Sequence, residues 1–173
     1  MLLDNFSDLF QRGLEYAWDA EHVLRKYLPK MVEAATSQDL KQALEFHLVE
    51  TKGHIYRLEQ IFTRLERSPA GEKHEPVRGI TEECERMVGH LDRSPLLDAA
   101  LIFSVSQIEG AEIGLYEPLV SFALTLGFDE VAAMLDEILG QERDTAHQLL
   151  RLAEHSVNRA ASRVESVRPF ALI

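Results

Sequence analysis

Two antiparallel helical hairpins joined by a long crossover into an all-α four-helix bundle are the fold this sequence predicts. Three observations carry that prediction. Apolar residues recur at alternating intervals of three and four along four long stretches, the period of a helix with one buried face. No stretch alternates apolar and polar residues as a half-buried strand would. The breaks between stretches are unequal: two are tight turns, and the middle one is long and has a short helical pattern of its own.

The first helix starts near Asn5 or Ser7 and runs to about Ala35, with Pro29 expected to kink it or end it early. Thr36-Ser37-Gln38-Asp39 supplies a turn and an N-cap, and the second helix runs from about Gln38 to Arg67. Ser68-Pro69-Ala70-Gly71 stops it. A short helix from about Val77 to Leu91 lies in the crossover. Ser94-Pro95 caps the third long helix, which reaches about Leu126, where Gly127 ends it. The fourth opens at Phe128-Asp129-Glu130 and persists to about Ala161. Helices of ~30 residues are ~45 Å long. A bundle made of two hairpins with one long crossover is the ferritin-like arrangement. The bundle is expected over residues 1–162, with residues 163–173 as a C-terminal tail.

The chain has 173 residues, enough for one domain with a buried core. Its 18 basic and 29 acidic residues give a net charge of −11. That balance argues against a nucleic-acid partner, which needs a clustered basic surface. Arg151, Arg159, Arg163 and Arg168 are interspersed with Glu154 and Glu165 and read as a solvated helix end. No run approaches ~18 uncharged apolar residues, so no membrane span is expected. Cys84 is the only cysteine, which fits a reducing compartment, and the start of the chain has no signal-peptide pattern. Cytoplasmic residence is the expectation.

The apolar stripes contain residues that do not belong in them. Leu101, Val105, Ile108, Glu112, Leu115, Leu119, Phe122 and Leu126 form one stripe whose fourth member is a carboxylate. Val131, Leu135, Ile138, Glu142, Thr145, Leu149 and Leu152 form another, and Phe10, Leu14, Ala17, Glu21, Leu24, Leu28 and Met31 a third. On the second helix Glu50 lies between His47 and His54, one turn from each, and Glu109 stands one turn before Glu112. Burying an unpaired carboxylate costs several kcal/mol, against a total domain stability of ~5–15 kcal/mol. Acids at the midpoints of antiparallel helices meet at one depth, and metal ions would neutralise them there.

Glu21, Glu50, Glu109, Glu112 and Glu142, with His54 or His47 supplying nitrogen, are therefore the candidate metal ligands. The inventory suits a pair of iron ions, with manganese or zinc as alternatives. Arg57 and Arg64 share a side of the second helix and could instead pair with one acid each. Glu15 and Asp19 fall opposite Glu21 and are expected in solvent, as are His22, His147 and His155. Tyr116 reads either as a donor to the site or as a core tyrosine near a bundle end. The usual di-iron spacing of Glu-x-x-His is missing: Gly53 and Thr145 occupy those places after Glu50 and Glu142.

At Asp19-Ala20-Glu21 with Leu28-Pro29-Lys30-Met31, His47-Leu48-Val49-Glu50-Thr51-Lys52-Gly53-His54, and Glu109-Gly110-Ala111-Glu112-Ile113-Gly114-Leu115-Tyr116, the chain resembles the bacterial YciE/YciF family of ferritin-like proteins, a domain of unknown function. The likeness extends over roughly residues 3–155. It implies a ferritin-like bundle, a homodimer, a metal-binding centre and a link to bacterial stress responses. The function expected of the ligand set itself is that its ions react with peroxide or dioxygen, or sequester iron during stress. The crossover departs from the pattern, with His74-Glu75-Pro76-Val77 in place of a cysteine followed by small and apolar residues. A structural or interaction bundle without catalysis is the alternative.

Overall fold

A computed structural model describes residues 3–69 and 71–164. Helix α1 spans Phe6–Ala34, α2 Gln38–Arg64, α3 Glu75–His90, α4 Pro95–Thr125 and α5 Asp129–Leu152; a π-helical turn, Ala153–Val157, leads into α6, Asn158–Val164. No strand occurs among the described residues. No helix there is long and apolar enough to cross a membrane. The expected tail begins within α6, and its residues 165–173 lie outside the described residues.

Local chemistry sets the helix ends. Asn5 accepts a hydrogen bond from the Asp8 N–H at 3.0 Å, and Ser37 and Ser94 cap α2 and α4 through Leu40 and Leu97. Pro29 does not end α1, and the helix runs through it to Ala34. The ring lies on the exposed side, where only one ladder hydrogen bond is given up. Helix α2 stops at Arg64, three residues earlier than its pattern suggests. There the Glu66 N–H bonds to the Thr63 carbonyl and the Arg67 N–H to the Phe62 carbonyl, with Glu66 at a φ of 53°. The same Schellman closure ends α4 through Gly127, at a φ of 78°, the residue type that adopts this backbone without strain. The fourth helical stretch is not uniform: the π-helical turn interrupts it after Leu152.

Helix α1 pairs with α2 and α4 with α5; α1 also lies against α4, and α2 against α5. The ferritin-like two-hairpin arrangement expected from the connections is the one found. Helix α3 packs on α1 and α4, closing the groove between them with Val77 and Cys84. The interior falls into two apolar compartments. One is built around Leu24, Leu28, Leu40, Leu44, Leu101, Val105 and Leu149, the other around Phe10, Leu14, Leu58, Phe62, Leu119, Leu135 and Ile138. Between them, halfway along the bundle, lies a belt of buried polar side chains.

Candidate metal centre

Each helix of the bundle sends its out-of-place residues into this belt. Glu21 comes from α1, His47, Thr51 and His54 from α2, Glu109 and Glu112 from α4, Glu142 and Thr145 from α5. Glu21, Glu109, Glu112 and His54 are 0% exposed, and His47 and Glu142 1%. They are buried because they occupy core positions of stripes whose other members are leucine, isoleucine and valine.

Two groups form, with one ligand atom per residue and all such atoms in a group within 4.8 Å of one another. They are Glu21, His54 and Glu142, and His47, Glu109, Glu112 and Glu142. Glu142 belongs to both. Donors ~2.1 Å from a metal ion lie up to about 4 Å apart, so each group is close to the size of a coordination shell. The donors are carboxylate oxygens and imidazole nitrogens with no thiolate, a set suited to iron, manganese or zinc.

Protein partners satisfy little of this polarity. Seven of the eight carboxylate oxygens of Glu21, Glu109, Glu112 and Glu142, and both ring nitrogens of His47, have no hydrogen-bond partner among the described residues. His47 Nε2 lies 3.3 Å from Glu109 Oε1, and His54 Nδ1 lies 3.0 Å from Glu142 Oε1, in each case without hydrogen-bond alignment. The aligned contacts converge on one oxygen: Glu21 Oε1 receives the Tyr116 hydroxyl at 2.7 Å and faces His54 Nδ1 at 3.2 Å. Buried polar atoms ordinarily find partners. So many orphaned donors at one depth fit a site for cations.

The electrostatics of the metal-free chain agree. Burial, followed by repulsion from Glu142, pushes the Glu109 and Glu112 carboxyls well above the usual range. Burial also raises Glu21 against the pull of His54. Burial alone would raise Glu142 as well, but His54 holds it below its ordinary value. His54 is itself penalised by burial, yet Glu21 and Glu142 together raise it to about 10. His47 is pushed down to about 4, chiefly by burial, and so keeps a free lone pair at neutral pH.

Glu50 stands apart. It is half-buried, its Oε2 accepts the Thr145 hydroxyl at 2.9 Å, and neither ligand group includes it. Both histidines of α2 enter the belt, one in each group. Arg57 and Arg64 do not pair with the belt: Arg57 reaches Glu137 and Gln141, and Arg64 reaches Glu130 at the surface. The solvent expectation for Glu15 and Asp19 is overturned, because the crossover folds back over that face of α1. Glu15 is buried and accepts from Gln11 and from the Glu72 N–H. Asp19 is half-buried, bonded by Arg78 and by the His74 N–H at 2.8 Å. His147 and His155 are exposed, as expected; His22 is half-buried against Trp18.

The sequence reading missed the Gln141 contact. Its side-chain oxygen lies 3.1 Å from His54 Nε2. Adjacency to Glu142 was the available signal, but only the packing of α2 on α5 brings Gln141 to the outer edge of His54.

Comparison with known proteins agrees with this architecture. E. coli (strain K12) Protein YciF is 31% identical over 166 residues, covering 93% of this chain and 98% of YciF. The crystal structure of the E. coli stress protein YciF superposes with a TM-score of 0.85 at 30% identity, covering 90% of this chain and 99% of that one. YcfI from Rhodopseudomonas palustris, named as a candidate structural protein, gives 0.80 at 34%, covering 85% and 94%. A Xanthomonas campestris protein at 20% identity shares the fold, with a TM-score of 0.73 over 93% and 99%. Residues 5–162 match the model of the domain of unknown function DUF892. With that match spanning the whole described bundle, belt included, the chain belongs to the DUF892 family.

Proposed function

We propose that this protein is a di-metal carboxylate protein, with iron as its metal, that handles iron together with peroxide or dioxygen under stress. The observation that carries the reading is the set of orphaned carboxylate oxygens in the belt, more buried acidic groups than the two histidines there can satisfy. Glu21, His54 and Glu142 would hold one ion, and His47, Glu109, Glu112 and Glu142 the second, with Glu142 common to both. Glu50, bonded to Thr145 at the rim, is the carboxylate best placed to join them. The oxygen and nitrogen donors also admit manganese or zinc.

A redox-active ion held there supplies electron exchange with peroxide or dioxygen. The chain contributes the rest. Tyr116 binds one oxygen of Glu21, and the other has no hydrogen-bond partner among the described residues. The apolar compartments on either side limit water at the site and strengthen its electrostatics. A homodimer is part of this reading, which sedimentation of the purified protein checks, and the stress-response setting is the one named for YciF.

An anaerobic ferrous titration followed by peroxide tests the reading. Uptake of about two ions per chain and a new optical absorption on adding peroxide are expected. Ferrous ions that stay free in solution would refute it. The name given to YcfI favours a second reading, a structural bundle without redox chemistry. That reading predicts no uptake and melting insensitive to chelator.

A further inference from the structure

We propose that Gln141, anchored by Arg57, is a positioning residue that fixes the tautomer of His54 so that its Nδ1 lone pair points at the metal-binding belt. The inference rests on the metal-centre reading and adds a determinant of affinity to it.

The side-chain oxygen of Gln141 has two neighbours, Arg57 Nη1 at 3.2 Å and His54 Nε2 at 3.1 Å. A guanidinium nitrogen has only protons to offer. The amide atom it touches must therefore be the oxygen, which settles the orientation of the Gln141 side chain. An amide oxygen can only accept, so His54 Nε2 must carry the proton it shares with Gln141. In a neutral imidazole the other nitrogen then bears the lone pair. That nitrogen is Nδ1, the one facing Glu21 Oε1 at 3.2 Å and Glu142 Oε1 at 3.0 Å.

A ring that gives up one of its protons to admit a metal would, without this anchor, keep the one on Nδ1. Glu21 and Glu142 both draw a proton onto Nδ1, and a ring protonated there presents an N–H where a cation needs a lone pair. Gln141 is a counterweight on the opposite edge of the imidazole. Arg57, also paired with Glu137, keeps the amide from rotating and offering its NH₂ instead. Acceptors behind ligating histidines characteristically do this work, and their loss typically weakens metal binding 10–100-fold.

The test uses zinc, which is diamagnetic, and compares the wild type with Gln141→Leu and Gln141→Glu. Calorimetry reads affinity, and long-range ¹H–¹⁵N correlation reads the proton on the His54 ring, with a His54→Gln variant assigning the signal. The proposal expects the His54 proton on Nε2 in the zinc-loaded wild type. It expects Gln141→Leu to bind one zinc about 10–100-fold more weakly while the chelator-treated protein melts where the wild type does. Gln141→Glu, which keeps an acceptor in place, should bind at least as tightly as the wild type. Wild-type affinity in Gln141→Leu, or a loss in Gln141→Glu as large as in Gln141→Leu, would overturn the proposal. A wild type that takes up no zinc or iron would remove the metal centre and this inference together, and is recognised before any variant is compared.

Discussion

Helix α1 carries buried acids on two faces, and the two faces treat them in opposite ways. Under the crossover, Glu15 and Asp19 meet Gln11, Arg78 and the backbone N–H groups of Glu72 and His74. Asp98, at the far end of the bundle, is similarly satisfied, taking the N–H groups of Thr36 and Ser37 and the Thr36 hydroxyl within 2.6–2.9 Å. Facing the interior, Glu21 meets Glu142 and its neighbours, and most of the carboxylate oxygens there have no hydrogen-bond partner among the described residues. Glu15 and Asp98 are nearly as buried as the central acids, so depth alone does not separate the two kinds of site. The difference is the source of compensation: the peripheral acids are satisfied by hydrogen-bond donors of the chain, and most of the central oxygens have none among the described residues.

The largest expected effect separates them by metal. Added ferrous or zinc ion at 1,000 times its Kd should stabilise the protein by about 4 kcal/mol per site, read as a rise in melting temperature that chelator reverses. Without metal the stability should fall as pH rises from 5 to 8. Folded Glu109 and Glu112 keep their protons well above the unfolded value of 4.5, so the native state binds more protons and loses its advantage as pH climbs. His54 adds to the loss between 6.5 and about 10; His47, held to about 4, opposes it only between about 4 and 6.5. Bound metal should favour the alkaline side instead, since its ligands must be deprotonated.

Next is Asp98→Ala, which strips three hydrogen bonds from the turn between α1 and α2. A loss of about 3 kcal/mol in urea denaturation, the same with or without metal, is expected. Glu112→Leu should behave in the opposite sense. In chelator-treated protein it should raise stability by about 2 kcal/mol, because a leucine there completes the stripe, yet it should abolish part of the metal-dependent rise. If Glu112→Leu destabilises the metal-free protein, the central acids have partners after all and the comparison fails. The smallest effect is Asp19→Ala, a loss of about 1 kcal/mol, since its ion pair with Arg78 is partly open to solvent.

The sequence disclosed the bundle and its belt because both are written in one periodicity. A glutamate at a stripe position must enter the core when the helix does, so Glu21, Glu112 and Glu142 were legible one helix at a time. His47 and His54 followed from sharing the face of α2 that carries Leu44 and Leu58. Other features depended on the crossover, which periodicity does not constrain. Glu15 and Asp19 look solvated on an isolated helix, and the crossover residues 71–78 cover them. Glu50 occupies the stripe but rotates toward Thr145, a one-turn choice between core and rim that spacing alone does not resolve. The end of α2 came early because Glu66 accepts a backbone conformation usually left to glycine.

The central claim is that the carboxylates halfway along the bundle are there to bind cations. Its most direct test is the metal content of the wild-type protein after anaerobic dialysis against ferrous iron, beside that of a Glu112→Leu, Glu142→Leu variant. The account predicts about two ions per chain in the wild type and loss of both in the variant, since Glu142 serves both groups. Equal, negligible iron in the two proteins, with a wild-type melting curve that chelator does not move, would contradict it.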